Sequence, residues 1–320
     1  MKREKTAGKW QEALQRLRRL RWLALTVLLV LLMGAQAWAA APKIQCKLTD
    51  ANLLALMKAY DSDAYSILKA QKDKGDTFTE WMNDDELLVD AVDTAVHEEF
   101  HGYTFTHGSY DFAARRWGER YYLGNGKTRM VYETSVFKTY TATKKIPDQY
   151  RTFRYETYVG SSATTDANTK GVYGLLNEFC AYYWGMHAMN SLYPYLLKYG
   201  KSFDEVRCFC INFYNDRDAY AEFYYWTLVY LEYARVRQPA VYKAIIGNDN
   251  YMHTFYQMRA KFRSQIRAMY PRVKKLAKKY DRMSTVRFWN GAYDAYSILT
   301  KQIQSSKYKT VRAAIDKYGK

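Results

Sequence analysis

The segment His97-Glu98-Glu99-Phe100-His101 limits the possible folds of this chain more than any other feature. Residues four positions apart lie one above the other on the same face of an α-helix. Both imidazoles can then bind one Zn²⁺, while Glu98 leans toward a water molecule on the metal. The spacing predicts a helix that carries His97 and His101 as metal ligands and Glu98 as a general base.

The residues around this motif favour a helix. Residues 83–86 have the sequence Asn-Asp-Asp-Glu, which is typical of an N-cap followed by a carboxylate three positions later. Apolar residues then recur at helical spacing as far as Gly102, a residue type that often follows a helix C-terminus. We therefore predict a helix over residues 84–101. Asp90 and Asp93 lie on the histidine face, and we interpret them as a solvated stripe.

A third metal ligand is expected from a second segment, because a catalytic zinc has three protein ligands and an open position for water. Glu178 is the best candidate. It lies within an apolar run over residues 172–189 that has the length and density of a buried helix. A carboxylate in such a run is costly unless it is paired or bound to a metal. The alternative is a glutamate that hydrogen-bonds in the core or points to solvent.

These two stretches resemble the gluzincin group of zinc metallopeptidases, the thermolysin-like and aminopeptidase-like enzymes. That group combines HExxH with a downstream Asn-Glu-x-x-Ala/Ser on a second helix, and Asn177, Glu178 and Ala181 match this second element. The resemblance implies a zincin-like catalytic domain with a zinc-activated water and a glutamate base. The zinc ligands that it implies are His97, His101 and Glu178, and the base is Glu98.

The chain departs from the group in two respects. Tyr182 stands where many gluzincins have an aspartate that supports a zinc-bound histidine, and the interval between the two motifs is longer than in thermolysin-like enzymes.

A donor that stabilises the oxyanion is also expected. His253 follows Glu178 in the chain order that thermolysin-like enzymes use, and it is our catalytic candidate. His187 and Tyr173, which are closer to Glu178 in sequence, are alternatives.

The N-terminus has the pattern of an export signal. A basic segment is followed by an apolar stretch over residues 22–33 and by the small-residue box Ala37-Trp38-Ala39. We predict a signal peptide over residues 1–39 and an exported protein, periplasmic or extracellular. An uncleaved, outward-facing membrane anchor is the alternative, because residues 22–41 are just long enough to span a bilayer.

The chain is basic, with a formal net charge of +17. Removal of residues 1–39 takes away eight basic and two acidic residues and leaves +11. This charge favours contact with an anionic envelope polymer, although a generally solvated basic surface is the simpler interpretation. No nucleic-acid motif accompanies the densest lysine cluster, over residues 274–279, so we expect no nucleic-acid partner. Membrane contact is expected only if the N-terminal segment stays uncleaved.

Periodicity predicts a mainly α (α+β) fold with one catalytic domain, in one or two lobes, over residues 40–320. Gly124-Asn125-Gly126 separates two strand-like segments and predicts a β-hairpin. Residues 150–159 alternate like a further strand, so a small antiparallel sheet is expected between the two motif helices. A helix is expected over residues 50–70, and a long C-terminal helix is expected to break at Pro271.

The mature chain would have four cysteines, an even number in an oxidising compartment. We expect at most one disulfide, between Cys46 and either Cys208 or Cys210, because Cys180 lies in the predicted buried helix.

These observations favour an exported zinc-dependent metallopeptidase that acts on a peptide or protein substrate. One alternative is a non-catalytic metal-binding protein of the cell envelope, against which the intact Glu98 argues, because a structural metal site needs no base. The other is a zinc hydrolase that acts on a non-peptide amide, such as a cell-wall linkage.

Overall fold

A computed structural model describes residues 49–82, 87–199, 203–279 and 294–319. These residues belong to one compact unit, Ile44–Lys320, which is mainly helical and contains a small antiparallel sheet. The predicted signal peptide or anchor, Cys46 and the predicted N-cap over residues 83–86 lie outside the described residues. In the part of the chain that is described, no helix is both long and apolar enough to cross a bilayer.

The first helices are α1 (Asp50–Tyr60), α2 (Ser62–Lys72) and α3 (Leu88–Thr106). After the sheet come the short helices α4 (Tyr140–Thr143), α5 (Tyr155–Tyr158) and α6 (Asp166–Thr169), and then the central helix α7 (Val172–Ser191). The C-terminal part consists of α8 (Tyr193–Tyr199), α9 (Phe203–Arg237), α10 (Pro239–Ile246), α11 (Asp249–Lys279), α12 (Ala295–Ile303) and α13 (Lys309–Asp316). Within the described residues, single 3₁₀ turns lie at Thr79–Trp81, Asp148–Tyr150, Ser306–Tyr308 and Lys317–Gly319.

Helix α7 lies at the centre of the core, and almost all of its side chains are buried. A helix that is apolar around its whole circumference must be covered on all sides. Helices α3 and α9 pack extensively against it, with further contacts from α6 and α11. The predicted buried helix around Glu178 is therefore confirmed.

Helix α3 carries the HExxH motif, but its limits differ from the prediction. It continues past Gly102 to Thr106, and its N-cap residue, Leu87, makes no side-chain capping bond. A Cβ atom at Gly102 would collide with the side-chain amide of Gln71 on α2. Gly102 therefore permits close packing between α2 and α3 and does not end the helix.

The sheet consists of β1 (Ser109–Asp111), β2 (Arg116–Gly124) and β3 (Lys127–Tyr132), which are antiparallel in that order. The predicted hairpin is confirmed. Gly124, Asn125 and Gly126 have φ angles of 91°, 52° and 69°, in the left-handed region that glycine and asparagine tolerate best.

The predicted strand over residues 150–159 is wrong. This segment contains the last residue of the turn Asp148–Tyr150 and the whole of α5. The alternation of residue types did not reveal that Arg154 is buried and donates a 2.8 Å hydrogen bond to Glu222 on α9. The backbone of this segment bonds within its own turns, as in the 3.0 Å bond from Tyr158 N to Arg154 O, and does not pair with a strand neighbour.

Two helix predictions also need correction. The predicted helix over residues 50–70 is two helices, separated at Asp61, whose backbone is extended and whose side chain accepts hydrogen bonds from the first turn of α2. Helix α11 runs through Pro271 without ending. Pro271 and Arg267 lie on the exposed face of α11, so the carbonyl that loses its helical hydrogen bond there can bond to water.

Candidate metal centre

The packing of α3 against α7 brings together the three residues that the sequence predicts as metal ligands. The Nε2 atoms of His97 and His101 lie 3.2 Å apart. Glu178 Oε2 lies 3.7 Å from His97 Nε2 and 3.5 Å from His101 Nε2. One ligand atom from each of the three side chains lies within 4.8 Å of the other two, so the group could bind a metal ion.

The geometry fits a tetrahedral ion. Zinc–nitrogen and zinc–oxygen bonds of about 2.0–2.2 Å imply ligand atoms about 3.3–3.5 Å apart in a tetrahedral site. The three distances here are close to that range. Glu178 Oε2 is also buried and makes no hydrogen bond. A buried carboxylate oxygen without a hydrogen-bond partner is costly, and a bound cation would remove that cost.

A hydrogen-bond network fixes the orientation of His101. Asn177 Nδ2 donates to Thr104 Oγ1 and to Glu119 Oε2, both at 2.8 Å. Because both amide protons are used in this way, Asn177 Oδ1 faces His101 Nδ1, with which it makes a short hydrogen bond. An oxygen that only accepts requires a proton on His101 Nδ1. In the neutral imidazole, Nε2 is then left with a lone pair for a metal.

The charges of the centre match a cation site. Burial acts to raise the pKa of Glu178, but the adjacent imidazoles of His101 and His97 outweigh it and hold this pKa at about 2. Burial acts to lower the pKa of His101, yet the Glu178 carboxylate and the charge of Glu98 raise it to about 9. Glu178 is therefore anionic at neutral pH, and a metal must displace a proton from His101.

Glu98 lies on α3 between the two histidines and is half-buried. Its carboxylate is close enough to His101 to contribute to the raised pKa of that imidazole. The base that the sequence predicts therefore lies beside the predicted ligands.

A tyrosine pair lies beside His97. The ring of Tyr182 packs edge-on against the His97 ring, with centroids 4.5 Å apart. Arg154 Nε donates to the Tyr182 hydroxyl at 3.0 Å, and the hydroxyls of Tyr182 and Tyr158 lie 2.9 Å apart. Either hydroxyl of the Tyr158–Tyr182 pair can be the donor. The charge of Glu178 is among the causes that raise the pKa of Tyr158, after burial and Tyr182.

The three predicted oxyanion donors do not join this cluster. His253 is exposed on α11 and packs against the Tyr318 ring. His187 Nδ1 bonds Asp61 Oδ2 at 2.6 Å. The Tyr173 hydroxyl bonds Thr134 Oγ1 at 2.8 Å.

The interpretation of Asp90 and Asp93 as a solvated stripe is wrong, because α9 covers this part of α3. Asn212 Nδ2 on α9 donates to Asp90 Oδ1 at 2.7 Å. Burial, followed by the charge of Asp90, raises the pKa of Asp93 to about 7, and a hydrogen bond joins Asp93 to Asp216 on α9. Burial and the charge of Asp93 also raise the pKa of Asp216.

Sequence reasoning missed four residues of the site. The motif includes Asn177 but predicts no role for it, and the predicted strand over residues 150–159 includes Arg154 and Tyr158. Glu119 precedes the predicted hairpin strand and is a buried charge in β2. A charged residue on the inner face of a strand is the one local signal that could have indicated it.

Comparison with known proteins adds no family assignment: no protein-family model, no curated protein and no solved structure matches this chain.

Proposed function

We propose that this protein is an exported zinc-dependent peptidase with a zincin-like catalytic domain. The observation that carries the proposal is the combination of His97, His101 and Glu178 at tetrahedral ligand spacing with Glu98 beside them. A site that only stabilised the fold would be closed by four protein ligands, whereas these three leave a position for water or substrate.

His97, His101 and Glu178 would hold the zinc. A zinc ion bound there would supply Lewis-acid polarisation of a substrate carbonyl and would lower the pKa of water toward neutrality. Asn177 contributes by keeping His101 in the tautomer whose Nε2 lone pair faces the site.

Glu98 acts as the general base in this proposal. It accepts the proton of the attacking water and can pass that proton to the leaving amine. Glu98 precedes His101 by three residues, so the two are neighbours on the surface of α3, and the charge of Glu98 reaches the His101 ring.

Tyr158 replaces His253 as our proposed oxyanion donor. In this proposal Tyr182, which accepts from Arg154, donates to Tyr158, and the Tyr158 proton would then bond the carbonyl oxygen of the substrate. A donor that is held in place before the reaction stabilises the negative charge that develops on a tetrahedral carbonyl oxygen.

The metal is tested first. Purified full-length protein is dialysed against trace zinc, and the bound metal is measured by inductively coupled plasma mass spectrometry for wild type, His101→Ala and Glu178→Gln. We expect close to one zinc per chain in wild type and a large loss in both variants. Full zinc occupancy in a folded His101→Ala protein would exclude this ligand set.

Catalysis is tested with Glu98→Gln, which keeps the size of the side chain and the ligand set. At matched zinc content, hydrolysis of a broad peptide library should fall by about two to four orders of magnitude. Equal turnover by both proteins would refute the role of Glu98. If neither protein cleaves peptides, a panel of non-peptide cell-wall amides tests the hydrolase alternative.

A further inference from the structure

An exposed row of aromatic rings runs from the end of α3 onto the turn between β1 and β2. The ring centroids of Phe105 and Trp117 lie 5.4 Å apart. Tyr110 is opposite Trp117 in the β1–β2 register, so the two side chains share one face of the sheet. The Phe112 centroid lies 5.0 Å from that of Tyr110. We call these four residues, Phe105, Tyr110, Phe112 and Trp117, the aromatic ridge.

The ridge is unusually open to solvent. Phe112 is 83% exposed, Phe105 63% and Tyr110 44%. Of the eight large apolar side chains that are exposed in the described residues, three belong to the ridge, and the others are dispersed over separate segments. Exposed apolar residues that occur singly need no explanation, but a contiguous group indicates a surface that another molecule covers.

The turn that carries Phe112 is positively charged. Its acidic residue, Asp111, accepts a 3.0 Å hydrogen bond from Ala114 N and pairs with Arg116 at 3.3 Å. Arg115 beside it is exposed and has a φ of 50°, a conformation that residues other than glycine and asparagine rarely adopt. The turn therefore presents an arginine at a position where glycine would be less strained.

We propose that the aromatic ridge docks onto an anionic lipid bilayer, with Phe112 at the boundary between headgroups and acyl chains and Arg115 on the lipid phosphates. Aromatic rings favour this boundary, and cationic side chains beside them are attracted to anionic lipids. The chain is strongly basic, with a formal net charge of +17, or +11 without residues 1–39. Lipids can rearrange around the exposed side chains of this turn, whereas a protein partner would need a complementary pocket for them.

Docking in this way would orient the metal centre. Phe105 follows His101 by four residues on α3, about one helical turn. The end of the metal-site helix would then lie close to the membrane surface, where membrane-associated substrates would be concentrated. The docking itself does not depend on the proposed peptidase activity.

Vesicle flotation and hydrogen exchange test the docking. Full-length protein is mixed with vesicles of phosphatidylcholine alone or with about a quarter phosphatidylglycerol. We expect binding that is stronger to the anionic vesicles, with slower amide exchange confined to residues 109–117. The apolar stretch over residues 22–33 is present in every variant, so local exchange separates its effect from that of the ridge.

Three variants isolate the ridge. Phe112→Asp should lower the vesicle partition coefficient about tenfold or more and abolish the protection of residues 109–117. Leu197→Asp is the matched control, because Leu197 is 60% exposed on α8 outside the ridge, and it should bind like wild type. Arg115→Gly relieves backbone strain and should weaken binding to the anionic vesicles alone, about fivefold.

Two outcomes overturn the proposal. The first is vesicle binding by Phe112→Asp that equals wild type, with no protection of the turn in either protein. The second is protection of residues 109–117 that needs no lipid, rises with protein concentration and is lost in Phe112→Asp. Sedimentation velocity would then assign the ridge to contact between two copies of this chain.

Discussion

Asn177 donates a 2.8 Å hydrogen bond from Nδ2 to Glu119 Oε2, and this bond joins the metal centre to the sheet. Glu119 is buried in β2, where it also accepts from the Tyr121 hydroxyl at 2.9 Å and pairs with Lys170 at 3.4 Å. Because Glu119 is held on several sides, it fixes the amide orientation of Asn177, and the amide in turn fixes the His101 ring. Three segments that are distant in sequence thereby determine the direction of one metal-binding lone pair.

This relationship predicts the effect of Asn177→Leu, which keeps the approximate side-chain volume and removes the acceptor for His101 Nδ1. Zinc affinity should fall by about 10–100-fold, the usual effect of losing a residue that orients a histidine ligand. Competition with a fluorescent zinc chelator measures it. Asn190→Leu is the control, since Asn190 is buried on the same helix and its side-chain atoms have no hydrogen-bond partner. A similar loss in both variants would indicate a general effect on α7 and not the loss of one bond.

Tyr158→Phe tests the proposed oxyanion donor. The variant keeps the ring and loses the hydroxyl, so kcat should fall by about 10²–10³-fold, with zinc content and KM nearly unchanged. The control is His253→Gln, which should retain full kcat, because His253 packs against Tyr318 on the exposed side of α11. The opposite pattern, with loss of activity only in His253→Gln, would restore the assignment that the sequence favours.

Gly185→Ala tests the approach of α7 to α3. A Cβ atom there would lie 2.8 Å from the backbone oxygen of Asp93 and 3.4 Å from His97 Cβ, and it would also collide with the Asp93 carboxylate. The two helices must separate, which should lower the free energy of unfolding by about 1–3 kcal/mol and weaken zinc binding. Chemical denaturation with and without zinc measures both effects. Gly247→Ala, at a helix end with more space, should be much milder.

The buried aspartates predict a stability that decreases as pH rises. Burial raises the pKa of Asp93 to about 7, well above its value in an unfolded chain, and it also raises the pKa of its partner Asp216. A carboxyl group of this kind contributes stability that is complete below about pH 4 and is lost as pH rises through about 7. Burial also raises the pKa of Asp218 to about 7, which adds to the same trend.

We therefore expect the free energy of unfolding of the metal-free protein to fall between pH 6 and pH 8.5, by roughly 1–3 kcal/mol from these groups. Asp216→Asn replaces the shared proton with an amide donor and should reduce this fall without removing it, because Asp218 still titrates. Urea unfolding at both pH values, with chelator present, measures the difference. A slope that is identical in wild type and Asp216→Asn would show that the pair does not ionise on unfolding.

The sequence by itself determined the features that depend on local geometry. Two histidines four residues apart on a helix must share a face, whatever surrounds them. Gly124, Asn125 and Gly126 tolerate positive φ angles, so the hairpin between β2 and β3 follows from residue type alone. The apolar run around Glu178 similarly requires a buried helix.

Only the tertiary structure decided which partners these residues meet. The position of Glu178 beside the histidines depends on the close packing of α3 and α7, which a glycine permits. The burial of Arg154, the pairing of Asp93 with Asp216 and the exclusion of His253 from the site depend on contacts between residues far apart in the chain. Periodicity describes which face of one element is apolar, but it carries no information about which other element covers that face, and this choice sets burial, hydrogen bonding and pKa.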